Sequence, residues 1–144
     1  MKSYNNILIA IDLTAASLSE NMLAVACRLA RDHDAVMHAV TVVPDFGMSM
    51  VGAYFPDNFE KESGEKVEKS LRDFVEEHRI CLVETKIHVL HGRIYEEINE
   101  AAEKLKCDLI IVGAHHPDFG DYLLGSNAAR VVRHAKTSVM VVRA

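Results

Sequence analysis

The chain alternates between short apolar runs and longer stretches with helical periodicity. Five runs rich in β-branched residues have the length of strands: 6–12, 35–43, 83–92, 107–114 and 138–143. A near-continuous apolar run such as NILIAID at 6–12 is typical of a parallel strand covered on both faces. The run VETKIHVLHG at 83–92 alternates between apolar and polar residues, which predicts an exposed edge strand.

Four segments between these runs carry apolar residues at three- and four-residue spacing, which predicts helices that pack by one face. They are 18–33, 59–79, 95–106 and 126–135. Leu18 and Met22 begin the apolar stripe of the first helix, and Thr14 and Ser17 are candidate N-caps at its start. Residues 45–58 show neither helical nor strand periodicity. Their two glycines and one proline favour a mobile loop over one end of the sheet.

The alternation of strands and helices runs through all 144 residues without a break in composition. It predicts a single α/β domain with a mostly parallel sheet, and the length is sufficient for a substantial core. In open sheets of this kind, ligands bind beyond the carboxyl ends of the strands, where the strand order reverses. The residues at that edge are 12–14, 42–44, 92–93 and 113 onward.

Charge and cysteine content narrow the class of protein further. The net charge of −5 provides no basic field for nucleic acid or anionic lipid, and no apolar stretch approaches the ~20 residues of a membrane span. No signal peptide is evident. The three cysteines, Cys27, Cys81 and Cys107, form no CxxC pair and are interpreted as small core residues in a reduced setting. We therefore expect a cytoplasmic protein without nucleic-acid or membrane partners.

The segment GAHHPDFGDYLLGSN at 113–127 carries the least ordinary chemistry in the chain. His115 and His116 suggest a metal site, but adjacent side chains on an extended segment point in opposite directions. No cysteine or glutamate stands at a zinc spacing nearby, and the other histidines are scattered on other elements. A serine hydrolase is also disfavoured because Ser126 lacks the GxSxG elbow. The alternative interpretation is that the two histidines are polar loop residues without a special role.

Phosphate binding fits the ends of this segment better. Gly125 and Ser126 precede a predicted helix, whose free backbone N–H groups and positive end attract anions. Gly113 ends a buried strand and would let a ligand approach the backbone closely. Neither a Walker P-loop nor a GxGxxG fingerprint is present, so these residues alone do not identify the ligand.

The sequence resembles the universal stress protein family in four blocks that occur in the same order. They are NILIAIDLT, HAVTVVPD, HGRIYEEINEAAEKLKCDLIIVGAHH and LLGSNAARVVRHAKTSVMVVR. The resemblance covers essentially the whole chain and implies one universal stress protein domain at 1–144. It implies a five-stranded parallel sheet sandwiched between helices, Rossmann-like and similar to the adenine nucleotide alpha hydrolases. It also implies a homodimer through the last strand, Ser138 to Arg143, whose exposed edge would pair with a second copy.

Nucleotide-binding members of this family carry a glycine, two residues, a second glycine, about nine residues, and then Gly-Ser or Gly-Thr. Gly113 and the pair Gly125-Ser126 match the two ends of this motif. His116 replaces the second glycine, and residues 117–124 make the following spacer one residue shorter. The match implies ATP or AMP as the ligand, with or without Mg²⁺.

The resemblance also assigns roles to individual residues. Ala10, Ile11 and Leu13 would line an adenine slot, with backbone groups of Leu13 and Val42 at the base edge. Asp12 would contact the ribose or hold a magnesium ion. The residues implied around the sugar and phosphates are Gly113, His115, His116, Gly125, Ser126 and Asn127.

Together these features predict a cytoplasmic, dimeric stress protein that binds ATP or AMP and acts as a sensor or regulator. An enzyme is the weaker hypothesis, limited to slow ATP hydrolysis or autophosphorylation, because no general base is evident beyond Asp12. The alternative is a stress protein that binds no nucleotide and acts by protein–protein contact, which His116 and the shortened spacer favour. A hydrolase acting on an adenylated substrate is a further alternative, with residues 45–58 as the cover of its second pocket.

Overall fold

The computed structural model describes residues 3–44, 59–114 and 126–143, which form five strands and four helices. The strands are β1 (Asn6–Ala10), β2 (Val36–Pro44), β3 (Thr85–Gly92), β4 (Leu109–Ala114) and β5 (Ser138–Arg143). The helices are α1 (Ala16–His33), α2 (Phe59–His78), α3 (Ile94–Lys104) and α4 (Ser126–His134). Every predicted strand and helix is confirmed, and the loop predicted at 45–58 lies outside the described residues.

The five strands form one sheet in the order β3-β2-β1-β4-β5, and every pair of neighbours is parallel. The chain therefore proceeds outward from β1 to β3 and then returns to place β4 on the other side of β1. This reversal makes the carboxyl ends of β1 and β4 the switch point of the fold. The predicted parallel sheet and the edge position of β3 are confirmed.

The sheet is buried on both faces, which explains the near-continuous apolar run of β1. Ile7 and Ile9 pack toward α1 and α2, where Met22 is part of the same core. Leu8 points to the opposite face and packs with α3 and α4, where Val131 is fully buried. Successive side chains of a strand alternate between faces, so each helix layer receives every second residue.

The cysteines are buried as predicted, but two of them are joined. Cys27 of α1 and Cys81, which follows α2, form a disulfide with their Cα atoms 5.5 Å apart. The expectation of reduced, unpaired cysteines is therefore wrong for this pair, because the packing of α1 against α2 brings together residues that are 54 positions apart. Cys107 is a free, buried cysteine, and burial raises the pKa of its thiol to about 12.

Candidate functional site

A cleft opens at the switch point because β1 is shorter than the strands on either side of it. Ala10, the last residue of β1, pairs with Val40, whereas β2 continues to Pro44 and β4 to Ala114. The chain leaves the sheet after Ala10 to begin α1, so the ends of β2 and β4 face each other across a gap. The predicted functional edge is therefore also where the structure places a cavity.

The cavity has a volume of about 820 Å³, within the range of about 300–1,000 Å³ found for small-molecule sites. Its walls are mainly apolar and come from β1, β2, β4 and all four helices. The apolar side chains include Leu18, Met22, Val40, Val42, Val67, Ile94, Ile98, Val112 and Val131. Polar side chains of Asp12, Thr14, Ser126 and Asn127 also line it. An apolar slot with a few polar groups suits a flat ring that carries a polar or charged substituent.

The residues predicted for the site come together in this cavity. Of the eleven, eight lie in the described part of the chain, and all eight line it: Ala10, Ile11, Asp12, Leu13, Val42, Gly113, Ser126 and Asn127. The other three, His115, His116 and Gly125, lie outside the described residues. The predicted residues come from β1 and the turn after it, from β2, from β4 and from α4, and the fold brings them to one place.

Asp12 is held by the turn between β1 and α1. The backbone N–H and the hydroxyl of Thr14 both donate to Asp12 Oδ1, at 2.9 and 2.6 Å. The Ser19 hydroxyl donates to the Asp12 carbonyl at 2.8 Å and accepts from the Asp12 N–H at 3.1 Å. These contacts fix the backbone of Asp12 and leave its side chain exposed at the cavity.

Sequence reasoning missed Ser19 and gave Thr14 and Ser17 the wrong role. The residue before α1 is Ala15, which makes no side-chain capping bond, and Thr14 bonds to Asp12 instead. Ser19 is only 1 % exposed although it lies in the second turn of the helix. The signal that could have found it is a serine directly beside Leu18 in the apolar stripe of α1.

Packing against α1 provides one reason for a glycine at position 113. A Cβ atom at this position would lie 2.7 Å from both Leu18 Cδ2 and Met22 Sδ. Since Leu18 and Met22 also line the cavity, the absence of a side chain at Gly113 sets how closely α1 approaches β4. The ligand contact predicted for Gly113 remains a prediction.

The amino end of α4 lies at the cavity through Ser126 and Asn127. The first turn of this helix contains no acidic residue that would neutralise its free N–H groups. The first N–H groups of a helix lack partners within the helix, and the helix dipole adds partial positive charge there. This end of the cavity is therefore suited to a negatively charged group.

Two histidines regarded as scattered, His38 and His88, are in contact on the face beneath α3, where His38 is buried and His88 is partly buried. His38 is 3 % exposed, with Nδ1 3.1 Å from His88 Nε2 and Nε2 3.2 Å from Asn6 Oδ1. Burial, together with His88 and Lys86, lowers the pKa of His38 to about 4, and burial also lowers the pKa of His88. A neutral His38 satisfies both contacts: its Nε2–H donates to Asn6, and its Nδ1 accepts from His88 Nε2–H.

The histidine pair does not form a metal centre in the described ranges. Within 3–44, 59–114 and 126–143, no group of three or more histidine, cysteine, aspartate or glutamate side chains could hold an ion. Among the same residues, no helix is long and apolar enough to cross a membrane.

A parallel sheet wound in both directions from a central strand, with a cavity at its switch point, defines an α/β protein of the nucleotide-binding fold class. Residues 3–143 match the sequence model of the universal stress protein family. The chain therefore belongs to the universal stress protein family, as the sequence resemblance implies.

Similarity to individual proteins extends over nearly the whole chain. Universal stress protein G of Escherichia coli O157:H7 is 34% identical over 142 residues, which cover 97% of this chain and 99% of that protein. A universal stress protein solved in complex with cAMP has a TM-score of 0.66 and 21% identity, covering 98% of both chains. The universal stress protein of Archaeoglobus fulgidus in complex with dAMP has a TM-score of 0.62 and 20% identity, covering 98% of this chain and 99% of that one. These likenesses confirm the predicted fold.

Proposed function

We propose that this chain binds an adenine nucleotide, ATP or AMP, in the cavity at the switch point and acts as a cytoplasmic stress sensor or regulator. The observation that carries the proposal is the convergence of all eight described candidate residues on one cavity of suitable size. The cAMP and dAMP complexes of two proteins with the same fold support the choice of an adenine nucleotide.

The two ends of the cavity suit the two ends of a nucleotide. The adenine ring would lie in the apolar slot beside Ala10 and Val42, where burial of the ring surface contributes favourable free energy. The phosphates would lie at Ser126 and Asn127, at the positive end of α4. The contacts of His115, His116 and Gly125 with the sugar and phosphates remain part of this proposal.

Asp12 fits the role of a magnesium ligand when ATP is bound. Mg²⁺ in nucleotide sites is commonly held by one or two carboxylates together with phosphate oxygens. Asp12 supplies one exposed carboxylate at the cavity, and the bonds from Thr14 hold it in place. A magnesium ion there would neutralise phosphate charge.

The homodimer proposed for this chain would form through β5. This strand pairs with β4 on one side and is the last strand of the sheet. Its four central residues, at 139–142, are apolar and only half-buried. Pairing of two β5 edges would bury these side chains and satisfy backbone groups along the edge.

The nucleotide proposal is tested by isothermal titration of the purified protein with AMP, and with ATP in the presence of Mg²⁺. Val42→Phe places a larger side chain in the adenine slot, and we expect it to weaken binding of both nucleotides by tenfold or more, about 1.4 kcal/mol. Val132→Phe is the matched control because Val132 is 44 % exposed on α4 and does not line the cavity.

The proposal fails if neither nucleotide gives a saturable heat with the unmodified protein. It also fails if Val42→Phe binds as tightly as the control, since the ligand would then lie elsewhere. Mass spectrometry of the protein as purified provides an independent check, because a co-purified adenine nucleotide would identify the ligand directly.

A further inference from the structure

The disulfide joins two helices that both contribute to the wall of the cavity. Leu18 and Met22 of α1 and Val67 of α2 line the cavity. Cys27 lies farther along α1, and Cys81 lies three residues after the end of α2. The Cα separation of 5.5 Å is within the ordinary range for a disulfide. The cross-link therefore limits how far the α1 wall and the α2 wall can move apart.

Among the described residues, the ion pair between these two helices is weak by comparison with the disulfide. Glu20 Oε1 of α1 lies 3.7 Å from His78 Nδ1 of α2, and the Glu20 side chain is 57 % exposed. Exposed ion pairs contribute little to stability because water and salt screen the attraction. Apolar side chains of α2, among them Leu71 and Val75, also belong to the core that includes α1. After reduction of the disulfide, the position of the α1–α2 wall would therefore depend mainly on side-chain packing.

Cys81 is the less deeply buried of the two bonded cysteines, so its sulfur is the one that local movement would open to an external thiol. Cys27 is fully buried, whereas Cys81 is 8 % exposed and lies in the irregular segment between α2 and β3. Its neighbours Ile80 and Leu82 are 62 % and 97 % exposed. The segment therefore runs along the surface, and a small outward movement would uncover the Cys81 sulfur.

We propose that the Cys27–Cys81 disulfide is a reversible redox switch that controls the α1–α2 wall and, through it, the affinity of the cavity for its nucleotide. The last part rests on the proposed function. In the oxidised state the wall is held in the binding arrangement, and in the reduced state the ordering of the wall must be supplied on binding. Oxidised protein therefore binds more tightly.

The chemistry is thiol–disulfide exchange with a dithiol reductant. One thiolate of the dithiol attacks Cys81 Sγ, the S–S bond breaks, and Cys27 leaves as a thiolate that takes up a proton. The second thiolate of the dithiol then attacks its own sulfur bonded to Cys81 and displaces Cys81, which is protonated in turn. The protein gains two thiols and the dithiol becomes a disulfide. Oxidation is the reverse exchange with a small disulfide such as oxidised glutathione.

The first measurement counts thiols. Protein treated with oxidised glutathione and then unfolded without reductant should react with one iodoacetamide per chain, at Cys107, and with three after dithiothreitol. Intact mass separates this result from a mixed disulfide with glutathione. Reaction of all three cysteines before reduction would overturn the proposal.

The second measurement follows the wall without any nucleotide. Hydrogen exchange of peptides covering α1 and α2 should become faster on reduction, on the order of threefold to tenfold at the cavity-lining turns. Cys27→Ala should show the fast exchange in both states, and Cys107→Ala should respond to dithiothreitol as the unmodified protein does. Because reduction needs no mutation, the comparison holds even if Cys27→Ala folds poorly. Equal exchange in the two states would overturn the proposal.

The third measurement is the affinity for AMP in the two redox states. We expect reduction to weaken binding about threefold to tenfold, with no effect of dithiothreitol on the affinity of Cys27→Ala. Equal affinity in both states would overturn the switch and leave nucleotide binding intact. Absence of AMP binding in both states would instead contradict the proposed function and the effect of the switch on affinity. The hydrogen-exchange data alone would then show whether the disulfide controls the α1–α2 wall.

Discussion

The two layers that cover the sheet differ in how they are stabilised. The face beneath α1 and α2 is apolar apart from hydroxyls that bond to backbone carbonyls, and a disulfide crosses the layer. The face beneath α3 contains the linked side chains of Asn6, His38 and His88, of which His38 is buried and the other two are partly buried. In addition, the amide atoms of Asn99 on α3 are buried without a hydrogen-bond partner within the described residues. The first face contains a bond that responds to redox conditions, and the second contains groups that respond to pH.

This difference separates two ways of weakening one small protein. Loss of the cross-link should weaken the α1–α2 layer by a similar amount at pH 7 and at pH 4, because a disulfide does not titrate. Acid should act on the face beneath α3, because burial disfavours the charged form of histidine. Each of the following changes is aimed at one face, and the first two use the other face as their reference.

The largest effect should come from Cys27→Ala on the first face. Loss of a disulfide that closes a loop of 54 residues is expected to lower the free energy of unfolding by about 4 kcal/mol. Urea unfolding at pH 7 with and without dithiothreitol measures this, and the difference from the unmodified protein should shrink in reductant. Cys107→Ala removes a buried sulfur from the other face and should cost about 1 kcal/mol in both conditions. Equal losses for the two variants without reductant would contradict the stabilising role of the cross-link.

The second effect concerns pH and the face beneath α3. The pKa of His38 is lowered in the folded protein from 6.5 to about 4. The unfolded chain therefore binds a proton at His38 as the pH falls below 6.5, while the folded protein does not. Stability is fully present above pH 6.5 and is lost as the pH falls toward 4, by about 2 to 3 kcal/mol from this group. The lowered pKa of His88 acts in the same direction.

His38→Gln is the variant that isolates the contribution of His38 to the pH dependence of stability. Glutamine cannot be protonated in this range, so the decrease in unfolding free energy between pH 7 and pH 4 should be smaller than in the unmodified protein by nearly the same amount. Cys27→Ala should instead follow a curve parallel to that of the unmodified protein, displaced downward at every pH. Curves for His38→Gln and the unmodified protein that keep the same slope would show that His38 is not responsible for acid sensitivity.

The sequence predicts the elements and the site edge well because both depend on local patterns. Apolar periodicity fixes strands and helices, and the carboxyl end of a strand is marked by where its apolar run stops, as at Asp12 and Gly113. Since parallel strands end at the same edge, residues from distant segments could be placed at one edge without knowing their contacts. The family resemblance then selected the site residues among them.

What could not be predicted depends on packing between elements. The Cys27–Cys81 bond requires the angle at which α1 crosses α2, and the contact between His38 and His88 requires the register of β2 on β3. That register pairs Val40 with His88, so His38 reaches its partner diagonally. Gly113 shows the same limit: its position at the cavity was predictable, but its contact with α1 was not.

The smallest effect expected is that of Gly113→Ala, which tests how tightly the first face is packed at the cavity. The added Cβ would meet Leu18 and Met22 at 2.7 Å, so these side chains must move or α1 must shift away from β4. Overpacking of this kind costs about 1 to 2 kcal/mol, which urea unfolding measures. Gly64→Ala is the matched control. Gly64 lies within α2, and a Cβ atom there would be 3.6 Å from His91 Nε2, which is an ordinary contact distance. Alanine should stabilise that helix by about 0.5 to 1 kcal/mol, so the two identical substitutions are expected to have opposite signs. If both variants are more stable than the unmodified protein, the α1–β4 contact accommodates a Cβ atom at position 113, and the packing reason for this glycine is wrong.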